Sequence, residues 1–343
     1  MGSSTINRVE ILEEISDCLP GASDLQACAS RPDGRNCAED LRFAILDPLR
    51  EFMGRSSKQI RANIVMAALD MACAGTPPSA EQRKLAGCLA KVVEALHAGS
   101  LIIDDIQDVS ETRRGLPALH VQIGAPLAIN AANWLYFWPA ALIRRQNLPA
   151  GIEVEIYRLY HDTMIRAHYG QALDLGFDMT KLTRERARTI SLAAIEMKTG
   201  ALMAMCTEFG AIAAGADVEI RSRLAGFGQT FGTVLQMFND IGELRVAPAG
   251  ATPSQPFSRP SWVWAVAADA MSDVEYAEFC ELMSGSGDPE GHKPLAAHPV
   301  VDEATRRAHA EMRQCLAGVS GLASDSPPAF VQEIARKVME AYA

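Results

Sequence analysis

Apolar residues recur every three to four positions along most of the chain, in segments rich in Ala, Leu, Met and Glu. This spacing places them on one face of a helix, while the alternation typical of strands is hard to find. Turn residues, mainly Gly and Pro, separate the segments. We therefore predict an all-α fold, a large antiparallel helical bundle around a central cavity. The predicted helices are residues 38–53, 57–74, 79–109, 126–145, 151–174, 182–213, 217–244, 260–284, 296–320 and 326–341.

The same pattern indicates a single domain. No tract resembles a linker, no repeat of period 20 to 50 is present, and no segment has low complexity. We predict one domain over residues 38–343, preceded by an extension, residues 1–37, whose poor patterning suggests partial disorder or a cover for the edge of a dimer. Ser56 and Gln59 have the spacing of a capping box, which predicts a helix start at that point.

Composition narrows the classes of function. The net charge is −10 and no run of Lys and Arg is present, so we expect no nucleic-acid partner. Eight scattered cysteines without a CxxC pair indicate reduced thiols and a cytoplasmic protein. The first 20 residues lack the basic start and apolar block of a signal peptide, and charges interrupt every long apolar stretch, so no membrane span is predicted.

An acidic cluster ends the predicted helix 79–109. It consists of Asp104, Asp105 and Asp108, and positions 104 and 108 lie on one helix face. Like charges at this spacing destabilise a helix, and the helix dipole at a C-terminus prefers cations. The pattern leaves two interpretations open: a solvated acidic helix end, or a site for Mg²⁺, which prefers oxygen ligands and completes its shell with water and phosphate.

A second acidic cluster favours the metal interpretation. Asp240 and Glu243 lie near the end of the predicted helix 217–244, with Asn239 before them and Gln236 one turn earlier. Metals held between two acidic helix ends would grip a diphosphate from both sides. Cations that suit phosphate oxygens accompany the clusters, although each alone is typical of a solvated surface residue. They are Lys58, Arg61, Arg113, Arg114 and Lys198.

The segment HAGSLIIDDIQDVSETRRGLPALH, residues 97–120, resembles the first aspartate-rich region of the trans-isoprenyl diphosphate synthases, or polyprenyl synthetases. SSKQIR at 56–61 resembles the GKxxR segment of that family, and GQALDL at 170–175, MKTGAL at 197–202 and QMFNDIGE at 236–243 follow in the expected order. The resemblance implies an all-α fold of the isoprenoid synthase type and a homodimer. It also implies condensation of an allylic prenyl diphosphate with isopentenyl diphosphate, which gives a trans-prenyl diphosphate longer by five carbons.

The resemblance also implies roles for individual residues. Mg²⁺, three ions in this family, would be held by Asp104, Asp105 and Asp108 on one side and by Asp240 and Glu243 on the other. Isopentenyl diphosphate would be bound by Lys58, Arg61, His97 and Arg114. The allylic diphosphate would be contacted by Arg113, with Lys198, Thr199 and Gln236 lining its site. Among these, the catalytic residues would be Asp104, Asp105, Asp108, Lys198 and Asp240.

The chain departs from the family's pattern in two places. The second region usually reads DDxxD, but here Asn239 replaces the first aspartate and Glu243 the last. The family also has lysines after this region, whereas this chain has none between Lys198 and Lys293, and Arg259 is a candidate replacement. Two alternatives therefore stay open: a terpene cyclase of the same fold, and a non-catalytic regulatory subunit of a prenyl synthase.

The resemblance also implies that product length is limited by side chains below the first aspartates. Ser100 and Gly99, four and five residues before Asp104, are small. We therefore expect a product of geranylgeranyl length or longer rather than farnesyl, with a pocket that runs past residue 99. Its floor would be Leu96, Val93, Trp134 or Trp138, although the tryptophans equally suit a role as core packing.

Overall fold

The computed structural model of the protein describes residues 18–30, 36–245, 257–285, 297–319 and 327–341. Helices dominate these ranges, which confirms the prediction of an all-α fold. Two strands of two residues each, β1 (Thr112–Arg113) and β2 (Leu116–Pro117), form a small antiparallel hairpin. The arrangement of the helices around a central cavity stays a prediction.

Thirteen α-helices or composite helices can be followed through the described ranges, and a 3₁₀ helix, Met179–Lys181, follows the seventh of them. Two of them contain a π-helical turn, Arg42–Leu46 in α2 and Glu196–Gly200 in α8, where one extra residue is accommodated. The helices are α1 (Ala22–Ala29), α2 (Ala38–Leu41, Arg42–Leu46 and Asp47–Gly54), α3 (Ile60–Ala72), α4 (Ala80–Gln107), α5 (Leu119–Ile123), α6 (Ala125–Arg144), α7 (Ala150–Gly176), α8 (Arg184–Ile195, Glu196–Gly200 and Ala201–Ala214), α9 (Val218–Arg245), α10 (Trp262–Ala270), α11 (Asp273–Gly285), α12 (Pro299–Gly318) and α13 (Ala329–Ala341).

Most predicted helices agree with these bounds to within a few residues, but two predictions need correction. The segment predicted as one helix over 260–284 is two helices, α10 and α11. The predicted capping box at Ser56 does not start a helix, since Gln59 has a φ of 45° and α3 begins at Ile60. Helix α1 lies within the predicted extension, residues 1–37, of which residues 1–17 and 31–35 lie outside the described part. The expectation of partial disorder or of a cover for the edge of a dimer stays a prediction.

The chain divides into two compact units. The first unit comprises residues 1–66 and 83–153, and the second comprises residues 67–82 and 154–343. Each is described separately below, and the prediction of one domain over residues 38–343 stays a prediction.

In the first unit, α4 packs closely on α6. A Cβ atom at Gly99 would lie 2.9 Å from the carbonyl oxygen of Ala132 and 3.1 Å from the ring of Tyr136, so only glycine fits this contact. Position 99 therefore faces helix α6, so helix packing accounts for the glycine, and the expectation of a product pocket that runs past Gly99 stays a prediction.

The two tryptophans of α6 secure the N-terminal helix. Trp138 stacks on Trp134 with 5.1 Å between ring centroids, and its indole nitrogen donates to the carbonyl oxygen of Cys18 over 2.6 Å. Arg145 lies over the Trp138 ring and pairs with Asp24 of α1 at 2.8 Å. These contacts favour a packing role for both tryptophans over a role in limiting the product.

In the second unit, α8 and α9 form the central helix pair. A Cβ atom at Gly232 would lie 2.6 Å from Cβ of Met203, so a residue without a side chain lets the two backbones approach. Gly170 of α7 serves in the same way beside the π-helical turn of α8, where a Cβ atom would lie 2.6 Å from the backbone nitrogen of Lys198. The close approach of α7, α8 and α9 fixes the positions of the polar side chains discussed below.

Two described helices are long and apolar enough to cross a membrane by length and composition alone. They are Ala80–Gln107 and Arg184–Ala214, and in each the most apolar window is 61% buried inside the protein. Core helices of proteins without membrane spans have the same properties. The predicted absence of a membrane span therefore stays a prediction.

Candidate functional site

The acidic end of α4 presents its three aspartates differently. The backbone nitrogen of Asp108 donates to the carbonyl oxygen of Asp104 over 2.9 Å, which keeps the helical turn and places both side chains on one half-exposed face. Asp105 is fully buried. Asp104 and Asp108 therefore present carboxylates at the surface of the first unit, and Asp105 does not.

Asp105 binds the guanidinium group of Arg113. The Arg113 Nε donates to both carboxylate oxygens, over 2.8 and 3.1 Å, and Nη2 donates to Oδ1 as well. Burial works against the charge of Arg113, but the hydrogen bonds that it donates to Asp105 and the charges of Asp105, Asp104 and Asp108 outweigh burial and raise the Arg113 pKa. The prediction that Asp105 is a metal ligand stays a prediction, although this pairing gives it a different role in the structure.

Basic side chains gather near the start of α3, in the same unit. Arg61 Nη1 lies 2.8 Å from His97 Nε2. Burial, together with the charges of Arg61, Arg114 and Arg113, lowers the His97 pKa well below its ordinary value, so the ring is neutral at pH 7. Since guanidinium can only donate, Nε2 of His97 accepts and the proton resides on Nδ1. Lys58 is exposed, three residues before Arg61 in the chain.

A buried carboxylate balances these cations. Glu94 Oε1 accepts a hydrogen bond from the backbone nitrogen of Ala62, in the first turn of α3, over 3.1 Å. Burial raises the Glu94 pKa, while Arg61, this hydrogen bond and Arg114 oppose the shift. A cavity in this unit is lined by Ser57, Gln59, Glu94, His97 and Arg114 together with Phe52, Met53 and Ala98. Of the predicted residues, His97 and Arg114 line this cavity, Arg61 binds His97, and Lys58 lies between the lining residues Ser57 and Gln59 in the chain. Glu94 lines it too, although no role was predicted for it from the sequence.

The second acidic cluster lines a polar cavity in the second unit. Asp240 is buried in it, and Glu243 lies one turn further along α9 at the surface. The Asp240 oxygens accept from Gln236 Nε2 over 2.8 Å and from the backbone nitrogen of Trp262 over 2.7 Å. Burial first, then the charge of Glu243, raises the Asp240 pKa to about 8, in spite of these hydrogen bonds.

The π-helical turn of α8 supplies two further side chains to this cavity. Thr199 Oγ1 donates to Gln236 Oε1 over 2.8 Å, so the Gln236 amide is oriented with its nitrogen toward Asp240. Lys198 Nζ donates to Asp174 Oδ2 over 3.1 Å. The structure therefore brings the predicted residues Lys198, Thr199, Gln236, Asp240 and Glu243 into one cavity.

Asp174 and Arg259 also line this cavity. Asp174 lies near the end of α7 and is buried, and Arg259 Nη1 lies 4.0 Å from its Oδ2. Arg259 was predicted as a candidate replacement for the missing lysines, whereas no role was predicted for Asp174. The sequence feature that could have identified Asp174 is its position between Leu173 and Leu175, an acid within an apolar helical turn. Asn239 is exposed and does not line the cavity as far as the structure is described.

The donor set fits a hard divalent cation that also binds phosphate. Among the described residues, no group of three or more His, Cys, Asp or Glu side chains is arranged to hold a metal ion by itself. Mg²⁺ typically takes one or two carboxylates and leaves the other positions to water and phosphate. Asp104 with Asp108, and Asp240 with its raised pKa, are carboxylates that a cation of this kind would stabilise in the charged form.

Solved structures of similar fold include several prenyl diphosphate synthases. The geranylgeranyl pyrophosphate synthetase of Pyrococcus horikoshii aligns over 97% of both chains with a TM-score of 0.74 and 20% identity. The geranylgeranyl pyrophosphate synthase of Corynebacterium glutamicum, solved with isoprenyl diphosphate and magnesium, aligns over 96% of this chain and 98% of that one, with a TM-score of 0.74 and 21% identity. The fold is therefore the all-α fold of the isoprenyl diphosphate synthases.

The sequence assigns the family directly. The family profile of the polyprenyl synthetases matches residues 44–250, more than half of the chain, and the chain belongs to this family. The geranylgeranyl diphosphate synthase of Sulfolobus acidocaldarius is 32% identical over 162 residues, 47% of this chain and 48% of that protein. The short chain isoprenyl diphosphate synthase of Methanothermobacter thermautotrophicus is 33% identical over 213 residues, 59% and 61% of the two chains. The chain spans about half the length of the first of these relatives.

Proposed function

We propose that the protein is a prenyltransferase that condenses an allylic prenyl diphosphate with isopentenyl diphosphate to give a longer trans-prenyl diphosphate. The observation that carries the proposal is the cavity of the second unit, where Lys198 and Arg259 accompany the carboxylates Asp174 and Asp240. Cations beside oxygen ligands are what a leaving diphosphate requires. Membership of the polyprenyl synthetase family supports the same activity.

We propose that the protein binds Mg²⁺, as three ions, through carboxylates of both units. We propose Asp104 and Asp108 as ligands in the first unit and Asp240, Glu243 and Asp174 in the second. Bound there, the ions would supply positive charge against the charge that develops on the leaving diphosphate. Asp105 is proposed to orient Arg113 toward the allylic diphosphate, because both of its oxygens accept from that guanidinium.

The remaining residues are proposed to bind the two substrates or to orient the side chains that bind them. Lys58, Arg61 and Arg114 are proposed to hold isopentenyl diphosphate, with neutral His97 fixing the orientation of Arg61. Lys198 and Arg259 present cations to the allylic diphosphate, and Thr199 keeps the Gln236 amide in place. Apolar side chains around the cavity of the second unit exclude water, which would otherwise quench an allylic carbocation. They are Ala194, Ile195, Leu244, Phe257 and Met283.

A product of geranylgeranyl length or longer is proposed on the strength of the relatives, of which the Sulfolobus acidocaldarius protein is a geranylgeranyl diphosphate synthase. The earlier support from Gly99 no longer applies, since that residue packs on α6. The proposed location is the cytoplasm, and none of the seven cysteines whose side chains the structure describes forms a disulfide bond.

A homodimer is proposed from exposed apolar side chains. Phe137 of α6 is 75% exposed, and Ile129 lies two turns earlier on the same helix. Tyr169 and Ile165 are exposed on α7. Apolar side chains grouped on a helix face typically mark an interface. The variant F137E should shift the mass measured by light scattering from dimer to monomer, whereas F43E, at the equally exposed Phe43 of α2, should leave a dimer.

The activity is tested by product analysis. The protein is incubated with Mg²⁺, isopentenyl diphosphate and each allylic diphosphate in turn, and then with each longer prenyl diphosphate alone. Longer prenyl diphosphates, formed only when both substrates are present, are the expected result. Hydrocarbons from a single substrate would identify a cyclase instead, and turnover only after addition of another prenyl synthase would identify a regulatory subunit.

Asp174 provides a sharper test, because its role was not expected from the sequence. The variant D174N should lower kcat by about 10²- to 10³-fold, since it removes a carboxylate between two cations at the proposed leaving-group site. The matched control is D273N, because Asp273 is also paired with an arginine, Arg184, but at the exposed start of α11. Equal activity of the two variants would contradict the assignment of Asp174.

A further inference from the structure

The hairpin that carries Arg113 and Arg114 has an unfavourable turn. Thr112 pairs with Pro117 and Arg113 with Leu116, so Arg114 and Gly115 form the two-residue connection. Their φ angles are 55° and 77°, a combination that favours Asn-Gly because residues with long side chains rarely adopt the first of these conformations. An arginine in this position requires contacts from outside the turn to hold it there.

Arg55 makes such contacts from the end of α2. Its side chain is 2% exposed and lies over the ring of Phe52 at 5.1 Å. Nε and Nη2 donate to the two carboxylate oxygens of Glu51, over 3.0 and 2.8 Å. The remaining nitrogen, Nη1, donates to the carbonyl oxygen of Arg113 over 3.1 Å. Glu51 thus fixes the guanidinium plane, and the plane fixes the backbone where the turn begins.

The contact is returned by the hairpin. Arg114 Nη1 donates to the carbonyl oxygen of Arg55 over 3.2 Å, so each arginine binds the backbone of the other segment. Asp105 holds the side chain of Arg113, whereas Arg55 holds its carbonyl oxygen. The two contacts therefore fix different parts of the hairpin, and the Arg114 side chain depends on the one made by Arg55.

We infer that Arg55, oriented by Glu51, is a positioning residue that holds the hairpin of Arg113 and Arg114 in the conformation that binds diphosphate. The inference rests on the proposed function, which assigns Arg114 to isopentenyl diphosphate. Without the Arg55 side chain the turn relaxes from its unfavourable conformation, and Arg114 loses its position in the cavity that it lines with Glu94 and His97. Arg113 keeps its pairing with Asp105, so the allylic site is affected less.

The experiment compares R55L, R55K and E51Q with the wild-type protein. R55L should raise the KM for isopentenyl diphosphate about tenfold or more, with kcat and the KM for the allylic substrate within about threefold, as expected for loss of one charged hydrogen bond. Lysine cannot bind two carboxylate oxygens and a carbonyl in one plane, so R55K should be only partly active. E51Q should fall between R55K and the wild type.

The control is R145L, because Arg145 likewise stacks on an aromatic ring and pairs with an acid, Asp24. It should lower the melting temperature without changing either KM. An R55L or R55K protein with wild-type KM values overturns the inference, and so does an equal change in both KM values, which a general loss of stability would produce.

Calorimetric titration with inorganic diphosphate separates this inference from the proposed function. The wild-type protein should bind diphosphate, and R55L should bind it about tenfold more weakly. Equal binding by both proteins overturns the inference alone. A wild-type protein that binds no diphosphate overturns the proposed function and, with it, the inference.

Discussion

Asp104 and Asp105 are neighbours in the sequence, yet replacing each by asparagine should affect a different property of the protein. Asp105 is fully buried and accepts three hydrogen bonds from Arg113. D105N removes the charge that offsets a largely buried guanidinium. Asp104 lies on the half-exposed face with Asp108, at a helix end where the dipole disfavours acids. We expect D105N to lower the stability of the fold and D104N to lower activity without destabilising it.

The loss of stability expected for D105N depends on how deeply Asp105 and Arg113 are buried. Breaking a fully buried ion pair by removing one partner costs about 3–5 kcal/mol. The Arg113 side chain is 28% exposed, so water screens part of its charge. A loss of about 2–3 kcal/mol in the free energy of unfolding is therefore expected for D105N. D104N should change that free energy by no more than about 0.5 kcal/mol.

Urea-induced unfolding followed by circular dichroism measures both variants, and D108N serves as a second half-exposed control. Activity is measured in parallel at a temperature where all variants are folded. If D105N unfolds at the urea concentration of the wild type, the pairing with Arg113 does not support the fold. If D104N keeps wild-type activity, the assignment of Asp104 as a metal ligand is wrong.

Three further predictions concern other positions. Val109 has a φ of 54°, so V109N should raise the free energy of unfolding by about 1 kcal/mol, and no gain in urea resistance would show that this backbone is unstrained. G99A should lower that free energy by about 1–3 kcal/mol, because its Cβ atom would lie 2.9 Å from the oxygen of Ala132; a wild-type midpoint would contradict the tight contact. Asp240, with a pKa raised to about 8, is mostly protonated at pH 7 when no metal is bound, so Mg²⁺ must displace its proton. The Mg²⁺ affinity should therefore rise about tenfold per pH unit up to pH 8 and then level off, and calorimetry that detects no proton release at pH 7 would refute this.

The helices of this protein could be predicted from the sequence because the helical spacing of apolar residues and the positions of Gly and Pro indicate the same boundaries. The prediction of a helix over 217–244 compares with α9, Val218–Arg245. Where the prediction failed, between α10 and α11, a local signal was overlooked. Ser272 and Glu275 form a reciprocal cap, with the Ser272 backbone nitrogen donating to Glu275 Oε2 over 2.8 Å and the Glu275 nitrogen to Ser272 Oγ over 3.4 Å.

The opposite error occurred at the start of α3. The spacing of Ser56 and Gln59 matches a capping box, but Gln59 adopts a left-handed backbone conformation and the helix starts after it. The first turn is capped instead by Glu94, which accepts a hydrogen bond from the backbone nitrogen of Ala62. No local sequence pattern indicates this cap, because Glu94 lies 32 residues away on α4. A cap supplied by another helix cannot be identified from neighbouring residues.

Site residues could be identified from the sequence more readily than their roles. The acids of α4 were found by their spacing, but spacing does not reveal which of them is buried. The helical period does contain part of that information, because Asp105 continues the buried series of Ala98 and Ile102. Its partner, Arg113, lies beyond the end of the helix, so the ion pair itself depends on the fold of the hairpin.

The structure also changes how the departures from the family's pattern should be weighed. On sequence alone, Asn239 and the absent lysines argue against elongation, since each removes a charge from the expected diphosphate site. The second cavity is nevertheless lined by Asp240 and Glu243, with the exposed Asn239 outside its described lining. Arg259 supplies a cation beside Lys198, and Asp174 lies within ion-pairing distance of both. The charges that the cavity uses are thus present in other residues, and the departures count less against elongation than the sequence alone suggested.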